Sequence, residues 1–124
     1  MKTLRQTHGQ LGEEATVTYL KRQGYRILER NHKSPLGEID IIAQKKGVVH
    51  IIEVKSSSRE MYAEFRPEQN LRLDQARRLL RSAEAYLVRA HYPLDQEWQI
   101  DLATVEFRLG GEPIIQHYER AIVG

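Results

Sequence analysis

Three charged residues interrupt the two most apolar runs of the chain. Asp40 lies within GEIDIIA (37–43), and Glu53 and Lys55 close VVHIIEVK (48–55). Charge in a desolvated strand is costly unless it is paired or holds a metal. Two carboxylates converging at a strand end make a hard, oxygen-rich site suited to Mg²⁺, with Mn²⁺ as a substitute, completed by waters and substrate phosphates. A neighbouring lysine places positive charge where a phosphodiester under hydrolysis accumulates negative charge. Asp40, Glu53 and Lys55 are therefore the candidate catalytic set, with Asp40 and Glu53 as metal ligands. The competing reading is a strand-end ion pair that holds no metal.

Alternation along a strand puts Glu53 and Lys55 on one face and Val54 on the other. A tight turn at Lys45-Lys46-Gly47 pairs the two strands antiparallel. Counted outward from Lys46, Asp40 is six residues back and Glu53 seven forward, so both lie near one level of the ladder. Whether they share a face turns on a one-residue bulge, which Gly47 is suited to supply. A first helix offers a candidate third acid. At 100° per residue Glu13 shares a stripe with Thr16, Val17 and Leu20, whereas Glu14 stacks with Thr18 and Lys21, which favours Glu13 as the inward carboxylate; the competing reading is a solvated first-turn acid favoured by the helix dipole.

The elements that must position these residues follow from periodicity and punctuation. Residues 9–23 read as a helix ended by Gly24, and YRILER (25–30) as a short strand. Pro35 and Gly37 turn the chain into a strand at 38–44, followed by the turn and a strand at 48–55. SSSREMYAEFR (56–66) reads as polar and irregular. From Pro67 to Ala90 the pattern is helical, with Leu73, Ala76, Leu80, Ala83 and Leu87 as its stripe, widened by Leu79 and Tyr86. After Pro93, WQIDLATVEF (98–107) and residues 113–118 read as two more strands. The order α-β-β-β-α-β-β predicts an α/β sandwich around a central mixed sheet, because hairpins and a crossover both occur.

The 124 residues predict a single domain over 1–124, and 40% hydrophobic residues suffice for a core. Net charge is only +2, yet residues 1–60 carry 11 Lys/Arg against 7 Asp/Glu, with three of those acids in the candidate site. The surface around the site is thus more basic than the total suggests. The absence of cysteine excludes disulfides and thiolate zinc sites. The start MKTLRQTHGQ has no apolar core and no run reaches membrane-spanning length, so the expectation is a cytoplasmic protein without membrane contact. Histidines 8, 32, 50, 91 and 117 show no HxH or HxxxH spacing, and on that ground no zinc site is expected.

Asp40 followed by Glu53-Val54-Lys55 resembles the PD-(D/E)xK nuclease motif, with Ile39-Asp40 in place of Pro-Asp. With G-x-x-G-E at 9–13, GEIDIIA at 37–43, EVKS at 53–56, A-x-x-Y-L at 83–87 and I-D-L-A at 100–103, the chain resembles the YraN family. That is an uncharacterised bacterial family with a restriction-endonuclease-like fold, similar to archaeal Holliday-junction resolvases. The resemblance implies an α/β/α sandwich and metal ligation by Asp40, Glu53 and the carbonyl of Val54. It further implies a catalytic Lys55 and an accessory acid at Glu13. Gln75 and Gln99 stand where the family pattern has Lys and Arg.

Arg59 and Ser56, just beyond the triad strand, are candidates for contact with nucleic-acid backbone, as is Arg72. Arg72, Arg77, Arg78 and Arg81 also suit the solvated side of an amphipathic helix. Tyr62 and Phe65 are able to stack on bases or to cap the core. The expected function is Mg²⁺-dependent hydrolysis of DNA, including branched DNA, with nucleic-acid binding without turnover as the alternative. A homodimer would match a symmetric junction substrate.

Overall fold

A computed structural model of the chain describes residues 4–58 and 73–122, with side chains at 9–56 and 73–122. The elements are α1 (Leu4–Arg22), β1 (Arg26–Ser34), β2 (Gly37–Lys45), β3 (Val48–Ser58), α2 (Leu73–Arg89), β4 (Trp98–Phe107) and β5 (Ile114–Ile122). The order is the predicted α-β-β-β-α-β-β. The five strands form one sheet in the order β1-β2-β3-β4-β5. β3 and β4 are parallel, joined by the crossover that contains α2, and the other neighbours are antiparallel.

The helices cover opposite faces, giving a restriction-endonuclease-like α/β/α sandwich. Val17 and Leu20 of α1 pack on Ile41, Ala43, Ile52 and Ala103. Leu79, Ala83, Tyr86 and Leu87 of α2 pack on Ile39, Ile42, Val49, Ile51 and Ile100. The apolar stripe of α2 is therefore centred on Leu79, Ala83 and Tyr86, and Leu73, expected to belong to it, is 68% exposed. No helix among the described residues is long and apolar enough to cross a membrane.

Most differences from the sequence expectation lie at element ends. α1 begins at residue 4 rather than 9, and its end is closed at Gly24 (φ 90°), with Tyr25 N–H donating to the Leu20 carbonyl at 2.9 Å. That is the hydrogen bond of a glycine C-cap. β1 extends to Ser34 through a bulge between Ile27 and Glu29. Ser56–Ser58, expected to be irregular, continue β3 because they pair with Val105, Glu106 and Phe107 of β4. β5 likewise runs four residues further, to Ile122.

Candidate metal and active site

The β2–β3 hairpin sets the site. Lys45 pairs with Val48, so the turn has two residues, Lys46 (φ 51°) and Gly47 (φ 79°). Both are left-handed, as the favoured two-residue hairpin requires. The bulge entertained at Gly47 is not needed, because the symmetric turn places Asp40 opposite Glu53 in register. The ladder itself ends one rung earlier, at Ile41–Ile52. There Asp40 takes over the sheet's role: the Val54 N–H donates to its Oδ2 at 2.8 Å.

The consequence is a carboxylate pair held together. Asp40 and Glu53 share a side-chain hydrogen bond, and Lys55 Nζ lies 3.7 Å from Glu53 Oε1. Burial, then the negative charge of Asp40, pushes the Glu53 carboxyl up to about 8, with Lys55 opposing. Burial also raises Asp40, although the Val54 N–H, Lys55 and Glu53 draw it back. Both carboxyls of the pair are thus raised, and the pair as a unit holds protons more tightly than a free carboxylate.

α1 delivers the third acid. A Cβ on Gly12 would stand 2.7 Å from the Ser56 Cβ, so only glycine lets the helix seat this closely on the end of β3. The next residue, Glu13, turns inward and is half-buried, while Glu14 is exposed. Glu13 Oε1 is buried without a hydrogen-bond partner. Burial, Asp40 and Glu38 raise its carboxyl to about 7, against a lowering influence from Arg30.

Two clefts meet at this acid group. One, of about 470 Å³, is bounded by Gly9, Glu13, Arg30, Glu38 and Asp40. The other, of about 200 Å³, is bounded by Gly37, Glu38, Glu53, Gln75, Arg78 and Ser82. Glu38 borders both, and sequence reasoning passed over it because its place at the strand mouth depends on the β1–β2 turn. The structure thus brings Asp40, Glu53, Lys55 and Glu13 together. It turns Ser56 toward α1, under Gly12. The carbonyl of Val54 is supported by resemblance alone. Arg59, Arg72, Tyr62 and Phe65 lie outside the described residues.

A second polar centre was invisible to local spacing. His50 Nδ1 and His117 Nε2 donate to Asp101 Oδ2 at 2.6 and 2.7 Å. Gln99 Nε2 and the Arg120 N–H donate to Oδ1 at 2.8 and 3.0 Å. Burial pushes Asp101 up, but the donors His117, His50, Gln99 and Arg120 prevail and hold it well below the usual carboxylate range. Gln99, where the family pattern has Arg, is committed to this network. The two histidines stand on β3 and β5, far apart in sequence, and only the sheet unites them.

A sequence profile described as "Uncharacterised protein family UPF0102" matches residues 12–105. The chain belongs to this family. It is the YraN family of the motifs above, and the matched span runs from Gly12 through GEIDIIA and EVKS to Val105. The UPF0102 protein of Persephonella marina is 42% identical over 81 residues, covering 65% of this chain and 68% of its own. That of Fervidobacterium nodosum is 39% identical over 112 residues, 89% of this chain and 77% of its own. That of Anaeromyxobacter dehalogenans is 32% identical over 120 residues, 97% and 87% respectively. Among solved structures, Pyrococcus furiosus SfsA in complex with Ca²⁺ aligns with a TM-score of 0.43 at 14% identity. The alignment spans 93% of this chain and 63% of SfsA, and at that level no property of a site is transferred to this UPF0102 member.

Proposed function

We propose that this UPF0102 protein is a Mg²⁺-dependent nuclease that hydrolyses phosphodiester bonds in DNA, branched DNA included. The observation that carries the reading is the acid pair at the split between β2 and β3. Asp40 and Glu53 are pressed together at a raised affinity for protons, beside a buried Glu13 oxygen that has no partner. Such an arrangement costs stability on its own and is relieved by a divalent cation. The donor set fits Mg²⁺ or Mn²⁺: Asp40, Glu53 and Glu13 offer hard carboxylate oxygens, and the Val54 carbonyl another. What Mg²⁺ supplies when bound is Lewis acidity toward a phosphoryl oxygen.

The chain's own residues have separable tasks. Val54 N–H fixes the Asp40 carboxylate, and Asp40 with Glu53 defines the cation position. Lys55 neutralises negative charge developing on the phosphoryl group, or holds the attacking water. The two clefts leave room for substrate on either side of the pair. Arg59 and Arg72 are proposed to meet phosphates flanking the cleaved bond, and a homodimer is proposed for two-fold symmetric junctions.

The test is a panel of labelled duplex, single-strand, flap, four-way-junction and RNA substrates, incubated with Mg²⁺ or Mn²⁺. Asp40→Asn, purified identically, is the control. Cleavage of at least one DNA form by wild type, absent from the control, supports the reading. Equal cleavage by both, or none with any substrate, sinks it.

A further inference from the structure

The Asp101 cluster is built as a ligand set of a different kind. His50 Nδ1, Asp101 Oδ2 and His117 Nε2 lie within 4.8 Å of one another. They come from β3, β4 and β5, and all point to the α1 face, because Asp101 pairs with Ile52 and His117 with Ala103, both buried under α1. Asp101 is fully buried, while the side chains of His50 and His117 are 5% and 8% exposed. The second oxygen of Asp101 is pinned by Gln99 and by the Arg120 N–H, where β5 bulges and Arg120 turns left-handed (φ 53°). Anchoring one carboxylate oxygen this way leaves the other aimed between two imidazoles, as supporting hydrogen bonds do around metal ligands. Tyr25 packs edge-on against His50 at 4.9 Å and at a tilt against His117 at 5.7 Å, shielding the cluster from water.

We propose that His50, Asp101 and His117 form a second metal site, for a borderline transition ion such as Zn²⁺, independent of the carboxylate site at Asp40. Two nitrogens and one oxygen favour Zn²⁺, Co²⁺, Ni²⁺ or Cu²⁺ over Mg²⁺. The ion sits where both ring protons now face Asp101. Those protons pass to the far ring nitrogens or to solvent as it enters. Ligand atoms around tetrahedral zinc stand about 3.3 Å apart, so the two His–Asp contacts open by roughly half an ångström while the ring nitrogens, within 4.8 Å of each other, draw together by about 1.5 Å. His117, on an edge strand, gives the route of entry.

The experiment uses protein stripped of transition metals and held in millimolar Mg²⁺, which competes with the added ion for any carboxylate site. Titration with Co²⁺ is expected to develop the visible bands of tetrahedral coordination with one equivalent. Zn²⁺ is expected to raise the melting temperature by roughly 5 °C or more. Both responses should persist in Asp40→Asn and disappear in His117→Gln. Side-chain ¹⁵N spectra of wild type need no variant to fold: with Zn²⁺, His50 Nδ1 and His117 Nε2 should move to metal-bound shifts. If those nitrogens stay protonated and no band or melting shift appears, the cluster is a hydrogen-bonded latch and the proposal is overturned. Retention of the signals in His117→Gln overturns it equally. Failure of cleavage in the substrate panel leaves this result untouched, because neither readout involves the Asp40 site.

Discussion

Asp101 and Glu53 stand one rung apart in the β3–β4 ladder, Asp101 opposite Ile52 and Glu53 opposite Leu102. They point to opposite faces and are in opposite electrostatic conditions. Asp101 is more deeply buried, yet four donors surround it and its charge is stabilised. Glu53 keeps 20% exposure, yet its nearest acid is another carboxylate and its affinity for protons rises. Burial alone therefore does not fix whether an acid's charge is favoured or penalised. What decides it is whether hydrogen-bond donors or a second carboxylate stand beside the buried group.

The largest expected effect separates the two centres by activity. Glu53→Gln and Lys55→Ala should each lower DNA cleavage by about a thousandfold, near 4 kcal/mol of barrier. Isothermal titration should show Mg²⁺ binding weakened by Glu53→Gln and unchanged by Lys55→Ala. Wild-type rates in a clean Glu53→Gln preparation would remove Glu53 from the site.

Stability should sort the same residues in reverse. Asp101→Ala strands four donors and should cost about 3 kcal/mol in urea denaturation, whereas Glu53→Gln should be close to neutral without metal. Comparable losses in both would erase the contrast. Gly12→Ala tests how the third acid is placed. The clash with Ser56 should outweigh the gain in helix propensity and cost about 1–2 kcal/mol. A more stable variant would mean that α1 shifts freely.

The pH dependence of metal-free stability should have two limbs of opposite sign. Asp101, with a lowered folded pKa, contributes stability above its unfolded value of 3.8 that is lost as pH falls below it. Glu53 and Glu13 are raised from 4.5 to about 8 and about 7, so the folded state binds the extra protons. Their contribution is lost as pH rises from about 4.5 to 8. Asp40→Asn removes part of the repulsion and should flatten this second limb, gaining about 1 kcal/mol at neutral pH in chelator. Millimolar Mg²⁺ should raise the wild-type melting temperature and barely move the variant. A lower melting point for Asp40→Asn in chelator, with no Mg²⁺ shift in either protein, would make the pair an ordinary strand-end contact. The smallest effect concerns Arg59: if it meets a phosphate, Arg59→Ala should reduce the salt slope of DNA binding by about one unit.

Some of this was written in local pattern. Ile39, Ile41 and Ile42, and then Val49, Ile51 and Ile52, announced two strands, and the charges set among them marked Asp40, Glu53 and Lys55. The Glu13 stripe and Gly24 likewise placed α1 and its end, because helix periodicity and glycine capping act over a few residues. Element ends were less legible. Ser56–Ser58 have no strand character of their own and extend β3 only because β4 lies alongside. Leu73 reads as core by spacing and is exposed, since the orientation of α2 is decided by the sheet beneath it.

The sequence by itself determined the kinds of groups present and their order along each element, since those depend on neighbours one to four residues away. Tertiary structure alone decided that Glu13 Oε1 is buried without a partner and that Glu38 borders both clefts. It alone decided that His50 and His117 meet on Asp101. Each of these depends on chain segments distant in sequence being brought within a few ångströms, where burial and Coulomb interaction become strong, and no spacing rule along one segment encodes that meeting.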